Sequence, residues 1–297
     1  MAADSALPGR LALEQACAAF GLNPNAAQLL HRRSNAVWRV DDVVARLAPD
    51  TPLRRTRAAT SITVTRWLAS TATEPIALPP LPGEQPVVVD GAVATFWPYR
   101  SAAAQPSAHD VGSLVRSLHQ QPAPPFRIPQ YRPLRRLRDA LDVDAARPQP
   151  VLSVHERGWL RDQVDALVAA FEMTSFPLGY GLVHADAHEE NILPTDRGWV
   201  LIDWDNACYG PRELDLVGTL PDHFHASDTY RAEFIRSYGY DLLEWSNWRL
   251  LRDIIEYHSL GSYIRLAADE SRAAHELRRR VESLRTGDRD VIWRSIS

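Results

Sequence analysis

The chain of 297 residues contains no lysine, so all 33 of its basic residues are arginine. That absence alone removes a Walker A lysine, a Schiff-base lysine and a lysine general base. Any phosphate bound here is held by arginine, backbone N–H groups or a metal. Only two cysteines occur, Cys17 and Cys208, far apart and without a Cys-x-x-Cys pair, so there is no thiolate metal site. The 14 glycines never form Gly-x-Gly-x-x-Gly, which argues against both a Rossmann dinucleotide site and a P-loop. Gly-x-Ser-x-Gly and His-Glu-x-x-His are missing as well, and with them the commonest serine-hydrolase and zincin signals. No uncharged apolar run approaches the ~18 residues of a spanning helix. The first residues lack the basic and apolar regions of a secretory signal. A reduced, cytoplasmic protein is the expectation, with no membrane partner.

What is present is an ordinary globular composition, 45% hydrophobic and 24% charged. A net charge of −4 gives no electrostatic reason to expect nucleic acid as a partner. Periodicity predicts a helix over 10–20, then strand texture from Gln28 to Ala48. Within it Ala36–Val40 and Val43–Leu47 form a hairpin about the turn Asp41-Asp42. A helix is expected over 53–70, and a second hairpin joins Val87–Val89 to Val93–Trp97. After Pro98 the pattern becomes helical, at 108–120, 157–171 and roughly 226–285. Short strands are expected at 181–184, 191–193 and 199–203. The fold class expected is α+β: a small β-rich N-terminal part, 1–98, followed by a larger, mostly helical part, 99–297.

The densest polar cluster is Leu182-Val-His-Ala-Asp-Ala-His-Glu-Glu-Asn-Ile-Leu193, followed by Trp199-Val-Leu-Ile-Asp-Trp-Asp205. Phosphoryl transfer needs a carboxylate near the acceptor hydroxyl and oxygen ligands for magnesium. A loop with Asp186 and Asn191, beside a buried strand ending in Asp203, can supply both. Two other readings stand beside this one. His184-x-Asp186-x-His188 alternates like a ligand set of a metal-dependent hydrolase. A catalytically silent nucleotide-binding protein is the other.

These segments resemble the aminoglycoside phosphotransferase and choline kinase-like family, whose fold is the bilobal protein-kinase-like one. His184-Ala185-Asp186 with Asn191 resembles its catalytic loop, Ile202-Asp203-Trp204-Asp205 its metal-binding strand end, and Gly210-Pro211 with Asp215-Leu216 its downstream motif. The resemblance implies ATP, or alternatively GTP, with Mg2+, and a hydroxyl-bearing small molecule as acceptor: an aminoglycoside-like antibiotic, an amino alcohol or a sugar. It implies Asp186 as the base, His184 as a brace, Asn191 and Asp203 as magnesium ligands, and Asp215 as a tie behind the loop. It further implies Arg46, with Ser34-Asn35, at the phosphates. Phe96, Trp97 and Tyr99 become the hinge at the base, and Val44, Leu193 and Ile202 its apolar walls.

Three departures from the family pattern create further expectations. Ala185 stands where the family has Gly, which a loop tolerates if φ there is negative. Asp205 is one methylene shorter than the family's Glu. Kinase-like folds pair the phosphate-binding cation with a Glu on the first large helix. Here Ser61 stands at that place, so Arg46 is either oriented otherwise or lacks the pair. Arg54, Arg55 and Arg57 read as a solvated helix start. Asp222, His223, His225, Asp228, Glu256 and Tyr257, in an acidic stretch, are candidate acceptor-side groups, the alternative being a solvated acidic surface on amphipathic helices.

Overall fold

The computed structural model describes residues 7–32, 34–101 and 104–294. Most of the N-terminal residues behind the signal-peptide expectation lie outside these. Contacts divide the chain into two compact units, 1–129 with 181–209, and 130–180 with 210–297. The first unit therefore exceeds the N-terminal lobe expected at 1–98, because it also takes in the polar cluster.

The first unit is built on a five-stranded antiparallel sheet in the order β1-β2-β3-β5-β4. Its strands are β1 (Gln28–Arg32), β2 (Ala36–Val40), β3 (Val43–Pro49), β4 (Val87–Val89) and β5 (Ala92–Pro98). Strand side chains alternate between faces. Ala45 and Leu47 of β3, with Ala94 and Phe96 of β5, join Leu13, Ala16 and Cys17 of helix α1 (Arg10–Phe20) in one buried cluster. Phe20 stacks on Phe96, ring centroids 4.3 Å apart. Full burial of a side chain like Phe96 stabilises by about 1.5–3 kcal/mol. The same alternation leaves Val44, Arg46 and Ala48 for the opposite face, where Ala48 and Val93 pack on Ala58 of helix α2 (Pro52–Thr71).

Helix α2 starts cleanly because Thr51 accepts a hydrogen bond from Arg54 N–H (3.2 Å) and Pro52 occupies the first turn. Beyond β4, one side-chain and one backbone hydrogen bond to Phe96 continue the sheet edge. Gln85 Oε1 accepts from Phe96 N–H (2.7 Å), and Leu81 N–H donates to Phe96 C=O (2.9 Å). Helix α3 (Ala108–His119) is opened by a reciprocal Ser107–Asp110 capping box.

The second unit is mostly helical. Helix α4 (Arg135–Ala145) packs on α7 (Trp248–Leu266), and Gly261 makes the approach possible. A Cβ there would lie 3.0 Å from the Arg136 carbonyl oxygen. Helices α5 (Val154–Glu172) and α8 (Ser271–Thr286) also pack against α7, and α6 (Asp228–Tyr238) packs on the 3-10 segment Arg212–Thr219. That segment buries Asp215. Asp144, fully buried, accepts from Val151 N–H (2.8 Å) and Arg157 Nη1 (3.2 Å), which orders the α4–α5 connection. No helix among the described residues is long and apolar enough to cross a membrane.

Candidate active site

The polar cluster is organised by the hairpin of β7 (Ile192–Thr195) and β8 (Gly198–Leu201), after strand β6 (Tyr180–Val183) and before β9 (Cys208–Pro211). Ile192 pairs with Leu201, and Ile202 N–H donates to Asn191 C=O (2.9 Å), so the ladder runs to the edge of Asp203. His184 is fully buried, its Nε2 donating to Ile202 C=O (2.8 Å) and its ring edge-on to Trp204 at 4.6 Å. Trp204 Nε1 in turn donates to Leu201 C=O (2.9 Å). This network fixes the backbone on both sides of Asp203, which has φ of 59°.

The loop from Asp186 to Asn191 closes on itself. Asn191 Nδ2 donates to Asp186 C=O (2.9 Å) and to His188 Nε2 (3.0 Å), which leaves Asn191 with its side-chain oxygen as the acceptor for a ligand. Asp186 keeps 43% of its side chain exposed and takes a bond from Asn206 Nδ2 to Oδ2 (3.3 Å). Ala185 has φ of 59°, in the left-handed region, so the expectation of a negative angle is corrected. A non-glycine residue there costs about 1–2 kcal/mol, which the surrounding hydrogen bonds must outweigh.

Arg46 has acidic partners after all. Its Nη1 and Nη2 each donate to one oxygen of Asp205 at 2.9 Å, and Nη2 also reaches Asp203 Oδ1 at 2.7 Å. The Asn35 amide lies between Arg46 donors and the Ser34 carbonyl. With its oxygen toward Arg46 it accepts from Nη2 (2.6 Å) and Nε (3.0 Å). Burial pushes the Arg46 pKa down, but Asp205 and Asp203 outweigh it and raise it above its ordinary value. Burial likewise works against the Asp203 charge, yet Arg46 holds its carboxyl below the ordinary range.

These residues face a cavity of about 370 Å³. Of the residues expected at the site, Arg46, Ser34, Asn35, Asp186, Asn191 and Asp203 supply its polar lining. Val44, Trp97, Leu193 and Ile202 are among its apolar lining. Three others lie elsewhere. Phe96 is in the core on the α1 side, with its backbone N–H and C=O committed to Gln85 and Leu81. Tyr99 donates its N–H to Asp42 C=O (2.8 Å) and stacks under the Arg39 guanidinium at 4.0 Å. His184 sits beneath the loop rather than in the cavity.

Several contributors escape a reading of the sequence. Leu78, in the Pro-rich stretch, lines the cavity, and Asn206 holds Asp186. Arg54 turns inward, its Nη2 donating to Ser34 C=O (3.1 Å) and its Nη1 lying 3.9 Å from Asp205. The solvated helix start is thus corrected for Arg54, although Arg55 does point out to pair with Asp50. Spacing could have shown this, because Arg54, Ala58 and Ser61 recur at i, i+4 and i+7 and line one small cavity together. In the second unit, Glu256 and His223 are buried. Glu256 is salt-bridged to Arg289 and accepts a hydrogen bond from His223 N–H.

Asp203 and Asn191 offer oxygen ligands to one cavity, the donor type and sparse protein share that magnesium accepts when phosphates complete its shell. The residues fit that ion. Among the described residues no group of three His, Cys, Asp or Glu side chains is placed to hold a metal ion. With His184 buried against Ile202, the triad of the hydrolase reading is not assembled.

Similar folds occur among solved structures. Amicoumacin kinase hAmiN, in complex with AMP-PNP, Ca2+ and Ami, superposes with TM-score 0.70 at 12% identity, covering 92% of each chain. A choline/ethanolamine kinase family protein from Mesorhizobium loti gives 0.64 at 17%, covering 92% of this chain and 94% of that one. A microcompartment-associated aminopropanol kinase gives 0.63 at 16%, covering 93% and 97%. No curated protein sequence matches significantly. The fold is the protein-kinase-like α+β fold, with a β-rich N-terminal region and a helical C-terminal part. The model of the phosphotransferase enzyme family matches residues 25–253, and the chain belongs to that family as a small-molecule kinase.

Proposed function

We propose that the protein transfers the γ-phosphoryl group of ATP, or alternatively GTP, to a hydroxyl of a small molecule. An aminoglycoside-like antibiotic, an amino alcohol or a sugar is the acceptor class. The observation that carries this is one cavity in which the half-exposed Asp186 carboxylate shares a wall with Asn191, Asp203 and Arg46. Asp186 orients the acceptor hydroxyl and takes up its proton, steadied by Asn206. Asn191 and Asp203 hold Mg2+, which neutralises charge on the phosphates when bound. Arg46 and the Ser34-Asn35 connection meet the phosphates, while Val44, Trp97, Leu193 and Ile202 offer apolar surface to the base. Residues 1–98 act as the nucleotide lobe and 99–297 as the lobe for catalysis and acceptor.

The test is a calorimetric titration with ATP and with GTP, each with and without magnesium, on wild type, Asp186→Asn and Asp203→Ala. Magnesium-dependent binding retained in Asp186→Asn and lost in Asp203→Ala is expected. Turnover of an accepted substrate should fall by about 10²–10⁴ in Asp186→Asn, the range for a positioned base. Equal effects of both changes on nucleotide affinity would refute these roles.

A further inference from the structure

Helix α2 offers the site no acid. The face it turns inward carries Arg54, Ala58 and Ser61, which with Asn35, Arg46 and Asp205 surround a cavity of about 20 Å³. A guanidinium on the inner face of β3, with 16% of its side chain exposed, nevertheless needs a fixed counter-charge, since burial alone disfavours its charge. We propose that Asp205 is the positioning residue that aims Arg46 at the nucleotide phosphates, in the place a helix acid would hold. The inference rests on the nucleotide reading of the cavity.

Three features carry it. Asp205 uses both oxygens on Arg46 in a fork, which fixes the guanidinium plane as a single contact cannot. Asp205 also lies on a rigid support. Its 3-10 turn Trp204–Asn206 follows β8, is anchored by the buried Trp204, and is covered by α2. Asp203, the other carboxylate on Arg46, is assigned to the cation, whereas among the described residues the Asp205 carboxylate forms its ion pairs with Arg46 and Arg54. Arg46 thus keeps a partner whatever Asp203 binds. The position that resembles a family Glu serves here, as Asp, in a role the helix has given up.

The experiment is a double-mutant cycle on Asp205→Asn and Arg46→Met, read by calorimetric affinity for a non-hydrolysable ATP analogue with magnesium, and by steady-state kinetics. Asp205→Asn should weaken nucleotide affinity tenfold or more and raise the nucleotide KM in step, while the acceptor KM stays within twofold. In the Arg46→Met background the same change should add less than twofold. Unchanged affinity in Asp205→Asn, or an equal loss with and without Arg46, overturns the proposal. Should Asp205→Asn not fold, the cycle is run with Asp205→Glu, and an effect that is additive with Arg46→Met again overturns it. Wild type that binds no nucleotide sinks the nucleotide reading itself. Wild type that binds, beside an Asp205→Asn that binds equally, overturns only the role of Asp205.

Discussion

Removing the charge of Arg46 while keeping its stem, as in Arg46→Met, should destabilise the protein in a pH-dependent way. Two opposite charges about 4 Å apart attract by about 4 kcal/mol at an effective dielectric near 20. Breaking a fully buried pair costs about 3–5 kcal/mol, and an exposed one below about 1. With Arg46, Asp203 and Asp205 at 16%, 36% and 15% side-chain exposure, the site lies between these limits. A loss of about 2–3 kcal/mol at pH 7 follows, from the Coulomb term discounted by partial solvation. For a chain of this length that lowers Tm by about 4 °C. The sign with pH is set by Asp203. Its folded pKa is depressed, so its contribution is present above the unfolded value of 3.8 and is lost as pH falls through the folded one. In Arg46→Met the depressing charge is gone, and burial then favours the protonated carboxyl. The difference between wild type and variant should therefore narrow from pH 7 to pH 4. Thermal unfolding of both proteins across that range, without nucleotide, is the assay. A difference that stays constant down to pH 4 would assign the loss to packing of the arginine stem and refute the electrostatic argument.

Two further expectations concern other parts of the first unit. Burial pushes the Cys17 thiol up to about 11 from 9.0, so the unfolded chain ionises first and stability should fall between pH 9 and 11. The loss is on the order of 2–3 kcal/mol at most. Cys17→Val should remove that part of the alkaline slope in denaturant titrations, and native Cys17 should resist thiol reagents. Ala185→Gly relieves the left-handed backbone at a cost in unfolded-state entropy, with a net gain of about 0.5–1 kcal/mol. A lower urea midpoint for this variant would show that the methyl group is needed.

Much of the site was legible because period-two alternation is unambiguous in β3, where it puts Val44 and Arg46 on one face and Ala45 and Leu47 on the other. The same rule places Phe96 with Ala94 under α1. The hinge assignment of Phe96 came from resemblance and conflicted with the alternation of β5, and the core position follows the alternation. Helix α4 escaped notice because Leu134, with φ of 57°, precedes it without a capping side chain. Strand β9, Cys208–Pro211, contains both Gly and Pro, which suppress a strand signal. The link between Arg46 and Asp205 spans 159 positions, and no local pattern encodes such a pairing.

That span also has a consequence in time. At about 5–20 residues per second of synthesis, Asp203, 157 positions after Arg46, leaves the ribosome about 8–30 s later. Through that interval the sheet can pair and bury its α1 face, but the opposite face carries an arginine with nothing to neutralise it. The unit closes only when a segment made after an intervening run of helices returns. A fragment ending near residue 129 would hold all five strands of the main sheet and none of the acids that complete its inner face.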